Sequence, residues 1–234
     1  MKLIFDDCLQ VLPTFDDNSI DMVLCDLPYG TTAASWDSII PIEPLWEQYH
    51  RICKETAAMV FTASQPFTTL LIQSNLKNFK YEWIWEKPQG TNPLNAKIMP
   101  LKSHENILVF YRKKPTYNPQ MWISTPYSGF KSNSKNIGEI YGKVKSVHRD
   151  NPEGLRYPKT VLRFSQDKGL HPTQKPVDLM RYLIRTYTNE GDVILDNAMG
   201  SGTTGLACAL ENRKFIGIEN NENYYQIAKE RLGV

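Results

Sequence analysis

Seven short runs of aliphatic, β-branched and aromatic residues constrain this chain more than any other feature: KLIF (2–5), IDMVLC (20–25), AAMVFTA (57–63), YEWIWE (81–86), NILVFYR (106–112), DVILD (192–196) and KFIGIE (214–219). Most are continuously apolar rather than alternating, as strands covered on both faces must be. Helical segments fall between them, including EPLWEQYHRICKE, PVDLMRYLIRTYT and NENYYQIAKERL. In the second of these, Val177, Met180, Leu183, Ile184 and Tyr187 recur at three and four residues and form one apolar face. Strand and helix in alternation predict a doubly wound α/β layer structure. The 234 residues suffice for one domain, or for one domain with an insertion, and no internal repeat is visible.

No apolar run approaches the roughly 20 residues that span a bilayer, and the opening MKLIFDDCLQ meets acids too soon for a signal peptide. A cytoplasmic protein with no membrane partner is expected. Cys8, Cys25, Cys53 and Cys208 include no C-x-x-C pair and the histidines show no ligand spacing, so reduced, mostly buried thiols and no metal site are expected.

The net charge of +2 divides unevenly along the chain. Between Arg112 and Leu170 there are 12 Lys+Arg against 4 Asp+Glu, whereas the remainder carries 15 against 21. The basic stretch is rich in Pro, Gly, Ser and Asn, and it interleaves Tyr117, Trp122, Tyr127, Phe130, Tyr141 and Tyr157 with the cations. Cations neutralise a phosphate backbone while aromatic faces accept unstacked bases, so nucleic acid is the partner this mixture suits. A solvated loop is the plainer reading of charge alone, but so long a stretch without periodicity is usually functional or disordered.

Open α/β sheets bind ligands beyond the carboxyl ends of their strands. In DVILDNAMGSGTTGLACAL a strand ends at Asp196, Gly200-Ser201-Gly202 makes a tight turn, and a helix begins near Thr203. Glycines there allow close backbone approach, and the helix start offers free N–H groups. The spacing of Gly200, Gly202 and Gly205 formally meets G-x-G-x-x-G, so the loop alone leaves NAD and other adenosine-containing cofactors open. Glu219 ends the next strand, about twenty residues on, where an acid can hold a ribose diol. A third strand ends in CDLPYG. Pro28 restrains Leu27 to an extended conformation, so Asp26 and the Leu27 carbonyl become adjacent acceptors and Tyr29 adds a flat face. Such a corner suits a planar group with an –NH₂, and a nucleobase must be flipped from its duplex to reach it.

DLPYG resembles the D-P-P-Y motif of amino-directed DNA methyltransferases, DNAMGSGTTG resembles their D-P-F-x-G-S-G-T-T cofactor loop, and HPTQKP (171–176) resembles their H-x-T-x-K-P box. Catalytic motif first and cofactor loop last is the permuted order of the β class, N6-adenine or N4-cytosine specific. The resemblance implies a Rossmann-like methyltransferase sheet, mostly parallel with one antiparallel strand, circularly permuted and carrying an irregular insert. It implies a catalytic and cofactor-binding domain over 1–111 and 171–234, with a target-recognition insert over 112–170.

S-adenosylmethionine is the cofactor so implied, and double-stranded DNA the partner. Catalysis falls to Asp26, Leu27, Pro28 and Tyr29. Cofactor binding falls to Asp7 (at the adenine ring), Asp26, Asp196 (at the methionine amino group), Met199, Gly200, Ser201, Gly202, Thr203 and Glu219 (at the ribose). His171, Thr173 and Lys175 are expected near the methionine carboxylate. Lys131, Lys135, Lys143, Lys145 and Arg149 of the insert are expected at the DNA. Leu27 stands where the family usually has proline, and Asn197-Ala198 where it has Pro-Phe. Aspartate at position 26 leans toward adenine N6. Cytosine N4, an NAD-dependent dehydrogenase and a non-catalytic nucleic-acid-binding module are the competing readings. The sequence leaves open a homodimer and a cognate restriction enzyme.

Overall fold

The apolar runs become strands because each can bury both of its faces. In β2 (Ile20–Cys25), Val23 and Cys25 join one buried cluster while Met22 and Leu24 join the other. The computed structural model describes residues 1–32, 37–130, 148–167 and 174–234. The other strands are β1 (Lys2–Phe5), β3 (Cys53–Ala63), β4 (Phe79–Thr91), β5 (Lys102–Phe110), β6 (Trp122–Ile123), β7 (Tyr127–Phe130), β8 (His148–Asn151), β9 (Leu155–Arg156), β10 (Val161–Arg163), β11 (Val193–Asp196) and β12 (Lys214–Glu219). The α-helices are α1 (Cys8–Val11), α2 (Ile42–Ile52), α3 (Phe67–Ser74), α4 (Val177–Tyr187), α5 (Thr203–Leu210) and α6 (Glu222–Leu232).

Eight strands form one sheet in the order β1-β12-β11-β2-β3-β5-β4-β10. β5 pairs antiparallel with both of its neighbours, and every other pair is parallel. The first and last strands of the chain, β1 and β12, are therefore neighbours at one edge. Leu45, Trp46, Tyr49 and Ile52 of α2 and Phe67 and Leu71 of α3 pack on one face with Phe61 and Phe110. Leu179, Leu183, Ile184 and Tyr187 of α4, with Ala207 and Cys208 of α5, pack on the other. Two covered faces explain why these strands read as unbroken hydrophobic runs. All four cysteines are free and buried.

The chain divides into two compact units, Met1–Asn118 with Thr160–Val234, and Pro119–Lys159. The smaller unit is narrower than the charged segment 112–170. Arg112 donates to the carbonyls of His50 (2.8 Å) and Cys53 (2.5 Å), satisfying the end of α2. Arg163 of β10 pairs with Glu86 at 2.8 Å, and Lys113 pairs with Glu55. Arg112 is thus a structural tie of the larger unit, whereas Lys113 and Arg163 make exposed ion pairs on its surface. The described part of the smaller unit has two antiparallel ribbons, β6–β9 and β7–β8, in a segment expected to be irregular. No helix among the described residues is long and apolar enough to cross a membrane.

Candidate active site

At the carboxyl ends of β2, β11 and β12 lies a cavity of about 570 Å³, within the range of small-molecule sites. Asp26, Leu27, Pro28 and Tyr29 border it from β2, Asp196, Met199, Gly200, Ser201 and Thr203 from the β11–α5 connection, Glu219 from β12 and Asp7 from the end of β1. The sheet order brings together acids that are far apart in sequence.

Both oxygens of Asp26 are engaged. Oδ1 accepts from the Tyr29 hydroxyl at 2.7 Å and from Thr62, and Oδ2 accepts from the Lys175 ammonium at 2.5 Å. Tyr29 stacks on Phe67, with ring centroids 5.3 Å apart, so one of its faces is already covered. Burial, with the charges of Asp26 and Glu105, pushes the Tyr29 phenol well above its ordinary pKa, so it stays a donor. Lys175 is nearly buried and also lies 3.4 Å from Glu105, whose other oxygen binds Lys87 at 2.5 Å. Burial alone lowers the Lys175 pKa, but Asp26 and Glu105 outweigh it and hold the ammonium above its ordinary value. Burial likewise opposes the Glu105 charge, and Lys175 and Lys87 overcome it. Alternating charges across β4, β5 and the start of α4 therefore fix the Asp26–Tyr29 corner. Lys175 was expected beside the cofactor; its described partners are carboxylates at this corner.

The glycine turn is built as its spacing requires. Gly200 has φ 51° and open space where a Cβ would stand, so a ligand can approach its backbone. Gly202, with φ 76°, is closed instead by Ala228 and Leu232 of α6, and it is the one residue expected in the turn's cofactor site that does not border the cavity. The Gly200 N–H donates to one oxygen of Glu219 and the Asn221 N–H to the other, each at 2.8 Å. The Asn220 N–H also acts on this carboxylate, so of about four acceptor positions roughly one is left for a ligand hydroxyl. Burial raises the Glu219 pKa, and it raises Asp196 to about 6 against the pull of hydrogen bonds from Thr204, Cys25 and the Ala198 N–H. Asp7 caps α1 through the Leu9 N–H at 2.8 Å.

Two features have no local signal in the sequence. Asp37 accepts from the N–H groups of Gly30, Thr31 and Thr32 at 2.8, 2.8 and 2.7 Å, locking the loop after the Asp26–Tyr29 corner. Burial works against this carboxylate, yet the Thr32 side chain and the three N–H groups keep its pKa low. Asn197, which replaces a family proline, accepts from the Tyr49 hydroxyl at 2.5 Å and so ties α2 to the glycine turn. His171 and Thr173, and Lys131, Lys135, Lys143 and Lys145, lie outside the described residues; Arg149 belongs to β8.

The sequence pattern of the DNA methylases of the N6/N4 class matches residues 20–230. The type II methyltransferase M.HpaI of Haemophilus parainfluenzae is 28% identical over 99% of this chain and 74% of its own length. The DNA adenine methyltransferase YhdJ of Escherichia coli is 28% identical over 99% and 82%. The crystal structure of the M1.HpyAVI–SAM complex superposes with a TM-score of 0.69 at 26% identity, covering 99% of both chains. The cytosine-N4-specific PvuII DNA methyltransferase shares the fold, with a TM-score of 0.69 at 17% identity over 98% of this chain and 85% of that one. A family match across most of the chain, with the acids and the glycine turn gathered at one cavity, makes this protein a member of the N6/N4 DNA methylase family.

Proposed function

We propose that this protein methylates the N6 amine of adenine, extruded from double-stranded DNA, with S-adenosylmethionine as donor. The observation that carries the reading is the shared cavity: the Asp26–Tyr29 corner and the Asp196–Glu219 pocket border the same space. The residues present fit the cofactor. Asp196 offers a buried carboxylate to an ammonium, Gly200 leaves room for close approach, and Glu219 keeps an acceptor position for a ribose hydroxyl. When bound, S-adenosylmethionine supplies an electrophilic methyl group on a sulfonium centre. Asp7 stands at the cavity wall where the adenine ring is expected. His171 and Thr173 are assigned to the methionine carboxylate, and Lys131, Lys135, Lys143, Lys145 and Arg149 to DNA phosphates, on sequence grounds.

At the catalytic corner three donors occupy Asp26, which leaves about one acceptor position. An N–H of the target amine takes it, and the Leu27 carbonyl takes the other. The amine of adenine is a weak nucleophile because its lone pair is delocalised into the ring, and two acceptors at the N–H groups aim that lone pair away from the ring plane. Lys175, Thr62 and Tyr29 hold Asp26 in place, so the rate comes from positioning and fixed charge. The surplus proton leaves the nitrogen after transfer, toward the Asp26 carboxylate or water.

Asp26→Ala tests this assignment. Methyl transfer to DNA falls by about 100-fold or more, as for loss of a preorganised polar contact. Cofactor affinity measured by calorimetry stays near the wild-type value, because the Asp196–Glu219 pocket is untouched. Full activity in the variant contradicts the role given to Asp26.

A further inference from the structure

Strands β4 and β5 continue past the carboxyl edge of the sheet as a two-stranded arm, paired as far as Thr91 with Lys102. The arm rises from the active site, since Glu105 of β5 borders the cavity and binds Lys87 of β4. Pairing slips between Glu86 and Thr91, where β4 bulges, and on β5 only two residues separate His104 from Lys102, so at about 3.3 Å per residue the last pair lies roughly 7 Å beyond Glu86–His104.

The tip, residues 92–101, is a built structure with its apolar side chains on the outside. Asn92 adopts a left-handed conformation, and Asn95 donates to its side-chain carbonyl at 2.9 Å. The N–H groups of Ile98 and Met99 both donate to the Asn95 carbonyl, and the Asn92 amide reaches the Met99 sulfur. Leu101 closes over Gly90, where a Cβ would stand 2.7 Å away. Polar groups are satisfied internally, while Leu94 is 96% exposed and Ile98 78%, with Met99 and Leu101 about half exposed. Apolar residues scattered singly need no explanation, but a knob of four on a held turn does. From Lys87 to Ser103 the sequence has three lysines and no acid; Lys87 is buried against Glu105, which leaves Lys97 and Lys102 as the cations at the tip. An apolar knob in a cationic setting matches a partner that is a polyanion outside and stacked rings within.

We infer that this arm is a DNA wedge: its tip, led by Leu94 and Ile98, fills the gap in the base stack left when the target nucleotide enters the cavity. The inference rests on the base-extrusion reading above. Leu, Ile, Met and Pro are the side chains that serve as wedges between base steps, and the tip offers all four.

The test is the double variant Leu94→Ala/Ile98→Ala, assayed on two short duplexes bearing the site mapped from modified DNA. In one the target base is paired; in the other it faces an abasic position. Extrusion costs less in the second, where no base pair has to be broken. The variant loses about tenfold or more in turnover on the paired duplex and stays within about twofold of wild type on the unpaired one. Its melting temperature is unchanged, because neither side chain is packed. Equal loss on both duplexes, or no loss on either, overturns the inference. So does a fall in sedimenting mass in the variant, which assigns the knob to a second copy of this chain. A wild-type protein that modifies no DNA, so that no site can be mapped, fails the functional reading instead, and a sedimentation change or its absence still decides whether the knob contacts another copy.

Discussion

Asp196 is a carboxylate in surroundings that work against its charge, and this is where the chemistry of single residues is most open to measurement. Burial lifts its pKa from 3.8 to about 6. The folded protein therefore takes up the proton more readily than the unfolded chain, and the contribution of Asp196 to stability falls as pH rises from about 4 to about 6. Above that range the unliganded protein holds a buried charge, which the ammonium of the cofactor would neutralise. Cofactor affinity should accordingly tighten by about tenfold from pH 5 to pH 7 and then level off. Titration calorimetry across that range checks this, and affinity independent of pH would contradict it. Asp196, Glu219, Gly200 and Asp26 were legible in the sequence because each lies at or just past the carboxyl end of a strand, where an open sheet collects its ligands. Glu105 and Asp37 were not, and neither was the pairing of Lys175 with Asp26. Lys175 and Asp26 are 149 residues apart, and no local pattern announces a charge pair made across the sheet.

Among the elements, β12 shows how the sheet supports the cofactor turn. Gly217 pairs with Asp196 on one side and Leu3 on the other. A Cβ at Gly217 would stand 2.3 Å from the Met199 sulfur and 2.7 Å from the Phe215 ring. Met199 is buried, borders the cavity, and donates its N–H to the Ile218 carbonyl. Gly217→Ala should therefore cost about 1–3 kcal/mol in urea unfolding by overpacking, and it should weaken cofactor binding several-fold by displacing Met199. An unchanged unfolding midpoint together with unchanged affinity would show that the turn is independent of this contact. Strands β1, β2 and β12 have the limits their apolar runs predicted. The extension of β4 through Pro88 and Gly90 was hidden, because both residues argue against a strand interior. It is tolerated there because β10 pairs with β4 only as far as Glu86, leaving the rest of the arm at an edge. The three residues of β10 are too few to show a period, and the strand at 57–63 starts earlier, at Cys53, because a bulge lets that residue pair with Ile20.

For the molecule as a whole, the division between acidic and basic chain was a partial guide. The second compact unit, Pro119–Lys159, falls inside the basic stretch, but Arg112, Lys113 and Arg163 belong by their contacts to the larger unit. Within the smaller unit Arg156 lies over the ring of Tyr127 and Lys159 over that of Trp122, with Tyr157 72% exposed, a surface of cations and rings suited to nucleic acid. The larger unit unites the corner to which we assign the target amine with a pocket that fits S-adenosylmethionine, and everything else in the account follows from their sharing one cavity. The most direct test of that claim is mass spectrometry of nucleosides released from unmodified DNA after incubation with the protein and methyl-labelled cofactor. The account predicts labelled N6-methyladenine, and label in N4-methylcytosine would overturn the choice of base. Label in a ring-carbon methyl such as 5-methylcytosine, or in no nucleoside at all, would contradict the amine-directed chemistry itself.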